Sequence, residues 1–166
     1  MKTGCYIGRF NPPHKGHIKL IKRLLKKVNR LIIVVGSFKE KNTKRNPFSG
    51  KERIKMLKAY LREEKIPSGR VKVITIKEGR SWKDKINNLF KACPNCNILF
   101  TNNKRIVNLV KHRVKVHSFR RIGKVSSTKI KNAIYENKKW EHHTGKSVAR
   151  IIKQIKGRER IKESYG

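Results

Sequence analysis

The sequence predicts an α/β protein: an open parallel sheet of about five strands with helices on both faces. Three observations predict it. Short apolar runs alternate with helical patterns along the whole chain. The run Leu31-Ile32-Ile33-Val34-Val35 is continuously apolar and largely β-branched, as a strand covered on both sides requires. The 166 residues suffice for one sizeable core but not for several. The expected unit is therefore residues 1–166, with a helical part, 126–166, packed on the sheet.

In chain order, the apolar runs predict strands at 4–8, 31–36, 71–76, 97–101 and 113–117. Helical spacing predicts a first helix over 15–28, where Ile18, Ile21, Leu24, Leu25 and Val28 share a face. The second covers 49–63, with Ser49 and Glu52 spaced as a capping box. The third and fourth cover 82–92 and 103–111, and two more cover 127–137 and 146–156. The stretch 157–162 reads as a helix end or a short tail. Strand–helix alternation with right-handed crossovers gives a doubly wound, Rossmann-like layout. Ligands in such sheets bind beyond the carboxyl ends of the strands.

One loop stands out at that edge. Gly8-Arg9-Phe10-Asn11-Pro12-Pro13-His14-Lys15-Gly16-His17 lies between the first strand and the first helix. A helix start offers unpaired backbone N–H groups and partial positive charge, which favour phosphate. His14 and His17, three residues apart, fall on one face of the first turn. Gly16 is expected to keep a side chain out of an incoming ligand's way. The local chemistry is that of polyphosphate binding. A second constellation, Ser126-Ser127-Thr128 followed by Lys129 and Lys131, opens the fifth helix just past the last strand. Its hydroxyls can cap the helix or hold phosphate oxygens.

Composition narrows the classes. Lys and Arg number 45 against 10 Asp and Glu, a formal charge of +35 spread along the whole chain. Such a surface needs anions around it, so nucleic-acid association is a real possibility. No apolar run is long enough to span a bilayer and no secretory pattern opens the chain, so a cytoplasmic location without membrane attachment is expected. Cys93 and Cys96 form a Cys-x-x-Cys pair, but no second pair exists to complete a zinc site. They are expected as free thiols or a local disulfide. Neither the glycine pattern of dinucleotide binders nor a phosphate loop ending in Gly-Lys-Ser/Thr follows the first strand.

Together, Gly-Arg-Phe-Asn-Pro-Pro-His-Lys-Gly-His and Ser-Ser-Thr-Lys-Ile-Lys resemble the adenylyl- and cytidylyltransferase superfamily with its His-x-Gly-His loop. Asn46-Pro47-Phe48, Glu52-Arg53, Ser81-Trp82 and the closing segment 152–161 make the chain similar to the archaeal type of nicotinamide-nucleotide adenylyltransferase. The resemblance implies transfer of the adenylyl group of ATP to nicotinamide mononucleotide (NMN), giving NAD and pyrophosphate. By that resemblance His14, His17 and Arg53 are the catalytic candidates. Gly8, Arg9, Phe10, His14, His17, Ser126, Ser127, Thr128 and Lys131 would bind ATP. Trp82, Asn102 and Arg9 would bind NMN. Mg²⁺ would arrive through the nucleotide phosphates with no protein-held metal, and the family forms homo-oligomers. Departures from its pattern are Asn11 for Gln, Pro13 for an aromatic residue, Ser127 for Gly, Lys131 for Arg and Asn102 for Gly. They bear on the acceptor more than on the reaction. FMN, phosphopantetheine and glycerol phosphate are the alternative acceptors. A non-catalytic basic nucleic-acid-binding protein is the alternative from another class.

Overall fold

The computed structural model describes residues 1–166. Five strands form one sheet: β1 (Thr3–Gly8), β2 (Arg30–Val35), β3 (Val71–Ile74), β4 (Ile98–Phe100) and β5 (Lys115–His117). Their order is β3-β2-β1-β4-β5, and every neighbouring pair is parallel. The chain winds outward from β1 to β3, then returns to the far side of β1. The switch point therefore lies between β1 and β4.

Seven helices connect and flank the strands: α1 (Lys15–Leu24), α2 (Gly50–Glu63), α3 (Trp82–Ala92), α4 (Lys104–Val110), α5 (Ser127–Tyr135), α6 (Lys146–Gln154) and α7 (Gly157–Tyr165). Alternation along the strands separates two cores. Tyr6, Leu31, Ile33, Val35, Ile98 and Phe100 face one side, where they meet apolar residues of α1, α2, α5, α6 and α7. Cys5, Val34 and Leu99 face the other side and meet α3 and α4. The continuous run of β2 is explained: Ile33 and Val34 are both fully buried, on opposite faces. The capping box also forms, with Ser49 Oγ accepting from Glu52 N and Glu52 Oε2 accepting from Ser49 N.

Two expectations about the helices change. The first helix ends at Leu24 rather than Val28, although Leu25 and Val28 stay buried in the turn that follows. The segment after 156 is a nine-residue helix, not a tail. Lys156 adopts φ 54°, which breaks the chain between α6 and α7. Only Gly157 and Ile161 of α7 are buried, so its sequence shows almost no apolar stripe. Arg160 anchors it by donating to Glu52 Oε1 (2.6 Å) and to the carbonyl of Pro47 (2.9 Å). Cys5, Cys93 and Cys96 are free thiols. No helix is long and apolar enough to cross a membrane.

Candidate active site

The loop after β1 turns inward at once. Phe10 takes φ 52° and is buried, edge-on to Tyr6 at 5.6 Å between centroids. Its ring occupies the space that a side chain at Gly8 would need; a Cβ there would come within 2.8 Å. Phe10 also backs the His17 ring at 4.7 Å. His17 and His14 lie ring to ring, 3.8 Å apart, at the start of α1.

Backbone hydrogen bonds fix both rings. His14 Nδ1 accepts from the amide of Gly16 (3.0 Å), and His17 Nδ1 accepts from the amide of His14 (3.1 Å). In a neutral imidazole whose Nδ1 is an acceptor, Nε2 carries the proton. Each ring therefore presents one N–H donor on its free side. Gly16 is needed for this packing. A Cβ there would sit 2.9 Å from the His14 ring and 3.0 Å from the carbonyl of Ile122.

Burial, with the Arg121 and His143 charges nearby, lowers the His14 pKa to about 4. Burial, His14 and Arg121 lower that of His17 well below its ordinary value. Both rings are neutral donors at pH 7. The unfolded chain then binds more protons than the folded one between pH about 6.5 and about 4, so stability present above that window is lost as pH falls through it. His14→Asn keeps an acceptor at the helix start and should flatten this part of a pH–stability curve. An anion in the site reverses the tendency by raising both pKa values. We expect proton uptake on binding of inorganic triphosphate near pH 6.5, seen as a buffer-dependent calorimetric enthalpy that shrinks in the His14→Asn protein.

The rings open into a cleft of about 690 Å³ that contains no carboxylate. Arg9, Phe10, Ser126, Ser127, Thr128 and Lys131 line it, as the sequence predicts. Lys44, Arg45, Arg121 and Tyr165 line it too and were not anticipated; among 45 basic residues nothing local marks the first three. The hydroxyls divide their work. Ser126 Oγ caps α5 by accepting from Lys129 N (3.1 Å), and Ser127 Oγ donates to the carbonyl of Pro12 (2.8 Å). Ser127 spends its hydroxyl proton on this brace, whereas Ser126 accepts and keeps its own, so Ser126, Thr128 and the free amides at the start of α5 are the candidate phosphate donors. Thr144 adds a second brace, donating to the carbonyl of Pro13 (2.8 Å). Lys131 is buried and donates to the carbonyl of Arg45 (2.7 Å). Burial, and the charge of Arg45, lower its pKa to about 8.

Arg53 is a correction. It is fully buried and lines neither cleft. Its Nη1 donates to the carbonyls of Arg9 (2.7 Å) and Gly36 (2.8 Å), its Nη2 to Ser37 (2.7 Å) and its Nε to Ser49 (3.3 Å). Four carbonyls from two strand ends and a helix start claim the guanidinium, so direct contact with a nucleotide phosphate is not available to it. Arg53 is a positioning residue beneath the cleft. Asn11 acts alongside it. Its amide bonds Asn46 Oδ1 and both backbone groups of Phe48, tying the loop after β1 to the segment before α2.

A second cleft, of about 320 Å³, opens on the other side of the β1 end. Gly8, Gly36, Ser37, Thr101, Asn103 and Trp82 are among its lining residues, and Arg9 and Arg45 line both clefts. Trp82, the first residue of α3, attracts cations to its ring: Lys85 Nζ at 5.2 Å and Arg105 Cζ at 5.4 Å. Asn102 does not enter this cleft, a second correction. Its side chain bonds the backbone N–H and C=O of Phe119 (2.9 and 2.7 Å), extending the β4–β5 pairing past the strand ends. Thr101 and Asn103 line the cleft instead.

The cytidylyltransferase-like family model matches residues 5–133. A nicotinamide-nucleotide adenylyltransferase of Pyrobaculum aerophilum is 35% identical over 169 residues, covering 98% of this chain and 93% of that one. That of Thermococcus sibiricus is 34% identical over 165 residues, covering 96% and 87%. Among solved structures, a bifunctional NMN adenylyltransferase/ADP ribose pyrophosphatase from Francisella tularensis, complexed with AMP and a manganese ion, aligns with a TM-score of 0.81 at 19% identity, over 99% of this chain and 52% of that one. Matching over nearly its whole length, the chain belongs to the cytidylyltransferase-like family and, within it, to the nicotinamide-nucleotide adenylyltransferases.

Proposed function

We infer that the chain joins ATP to NMN, forming NAD and releasing pyrophosphate. The observation that carries this reading is the pair of clefts meeting at Arg9 and Arg45. One offers two imidazole N–H donors and the start of α5 to a triphosphate. The other offers Trp82, whose electron-rich face attracts cations, to the positively charged nicotinamide ring. The reaction is attack by a phosphate oxygen of NMN on the α-phosphorus of ATP. A P–O bond forms there as the bond to pyrophosphate breaks, and pyrophosphate leaves with the electron pair. The attacking phosphate is already an anion, so no protein base is needed. His14 and His17 donate to oxygens on which charge spreads in transfer, while Arg9 and Arg45 draw the two phosphates together.

The triphosphate cleft has no carboxylate to hold a hard cation, so Mg²⁺ enters as part of the substrate, bound by the nucleotide's own oxygens. A cytoplasmic location and self-association belong to the same reading. Pyrophosphate release from ATP and Mg²⁺ across a panel of acceptors tests it: NMN, FMN, phosphopantetheine and glycerol phosphate. NMN is expected to exceed the others in kcat/KM by at least about 100-fold, and Trp82→Ala to raise the KM for NMN about tenfold with that for ATP unchanged. Equal turnover with another acceptor, or none with NMN, would overturn it.

A further inference from the structure

The side of the sheet covered by α3 and α4 plays no part in the triphosphate cleft, yet it is strongly one-sided in charge. Residues 80–115 carry nine Lys and Arg and one carboxylate, Asp84. Asp84 is engaged with the amide of Ser81 in the α3 capping box. Lys83, Lys91, Lys104, Arg105, Lys111 and Arg113 are all exposed. The ion pair that touches this face is Lys85–Glu78, at 3.9 Å.

Planar groups are set among these charges. Arg113 donates through Nη1 to Asn87 Oδ1 (2.9 Å), which holds its guanidinium over the Phe90 ring at 4.3 Å. Asn87, Phe90, Lys91 and Arg113 line a separate shallow hollow of about 290 Å³. Arg105 lies over Trp82, at 5.4 Å, at the other end of α3. Trp82 and Phe90 are eight residues apart, about 12 Å along a helix. The outer face of a guanidinium fixed on an aromatic ring is a platform on which a nucleobase stacks, and flanking ammonium groups suit the backbone phosphates.

We propose that the α3–α4 face binds single-stranded nucleic acid, with the Phe90–Arg113 pair as a base-stacking platform and Lys83 and Lys91 as phosphate contacts. A second copy of this chain, with 10 acidic against 45 basic residues, offers these charges few carboxylates to pair with. An acidic protein would satisfy the charges but has no use for the platform.

The test is fluorescence anisotropy with a labelled 12-nucleotide RNA of mixed sequence, repeated with single-stranded DNA and an RNA duplex and with polyglutamate as a competing polyanion. With about five phosphates contacted, raising salt from about 0.1 to about 0.3 M should weaken binding about 50-fold. The triple variant Lys83→Glu, Lys91→Glu, Arg113→Glu should lose at least about tenfold in affinity. An equal charge reversal on the opposite side of the sheet, Lys19→Glu, Lys26→Glu, Lys27→Glu, should cost less than about threefold, because charges beyond about 10 Å are screened at 0.1 M salt. Arg113→Lys keeps the charge and loses the plane, so it should weaken the single strand about fivefold and leave the duplex unchanged. Pyrophosphate release should remain within about twofold in all three, since none of these residues lines either cleft. RNA and DNA single strands that both bind support the shared chemistry, and a preference between them names the source. Equal loss from both triple variants, an unchanged Arg113→Lys protein, or polyglutamate binding as tightly as the single strand would each overturn the proposal without touching the transferase reading.

Discussion

His17→Ala will lower kcat for pyrophosphate release by about 10²- to 10³-fold, the usual loss when one donor aimed at developing charge is removed. His14→Ala will do the same, and will also lower stability by about 1 kcal/mol because its Nδ1 caps α1. His14→Asn separates the two effects. It keeps the cap acceptor, so unfolding should return toward the native midpoint while turnover stays low. The two rings touch at 3.8 Å and His17 accepts from the amide of His14, so the double variant should lose less than the product of the single losses. Steady-state kinetics with circular dichroism on each variant checks this. Turnover within about threefold of the unmodified protein in either single variant would remove the histidines from catalysis.

Arg53→Ala should be the most destabilising single change. It leaves the carbonyls of Arg9, Gly36, Ser37 and Ser49 without their donor around a buried void. Leaving several buried carbonyls unpaired, at about 1–3 kcal/mol each and partly relieved by relaxation, costs about 3–5 kcal/mol. For a chain of this size that is about 10 °C in Tm. Arg53→Lys should recover only part of it, because one ammonium cannot reach four carbonyls spread about a planar fork. Thermal unfolding separates the two roles. A residue that gripped phosphate directly would show a near-native Tm with lost turnover in Arg53→Lys; a positioning residue shows the fall in Tm first. Loss of the tether to Arg9 should also raise the KM for NMN more than that for ATP, since Arg53 holds the wall of the smaller cleft through Gly36 and Ser37 as well.

What could be read from the sequence was local. The histidine loop was legible because strand, turn, cap and ligand face all fall within ten residues, and the tautomers follow from amides two and three positions away. The sheet was legible because β2 is apolar on both faces. Arg53 was legible as important but not in its direction: i,i+4 spacing shows that it faces inward with Leu57 and Leu61, not that three loop carbonyls wait there. Asn102 failed for a similar reason. Its partner, Phe119, is 17 residues away on a loop that no pattern marks. Ser127 stood in a row of hydroxyls that look alike in sequence, and only its reach to Pro12, 115 residues back, sets it apart. Arg45 and Arg121 were invisible because their neighbours in sequence are equally basic. Helix α7 was legible only as part of the helical region 126–166 and not as an element of its own, because one isoleucine and one glycine are all that it buries.

The shared walls at Arg9 and Arg45 bear on what happens after the bond is made. On the proposed reading each starting nucleotide lies mainly in one hollow, whereas the joined dinucleotide would reach into both past these walls, surrendering its freedom of tumbling only once for two sets of contacts. It should therefore cling more firmly than either half. Departure of the finished coenzyme would then share control of each cycle's pace with its synthesis.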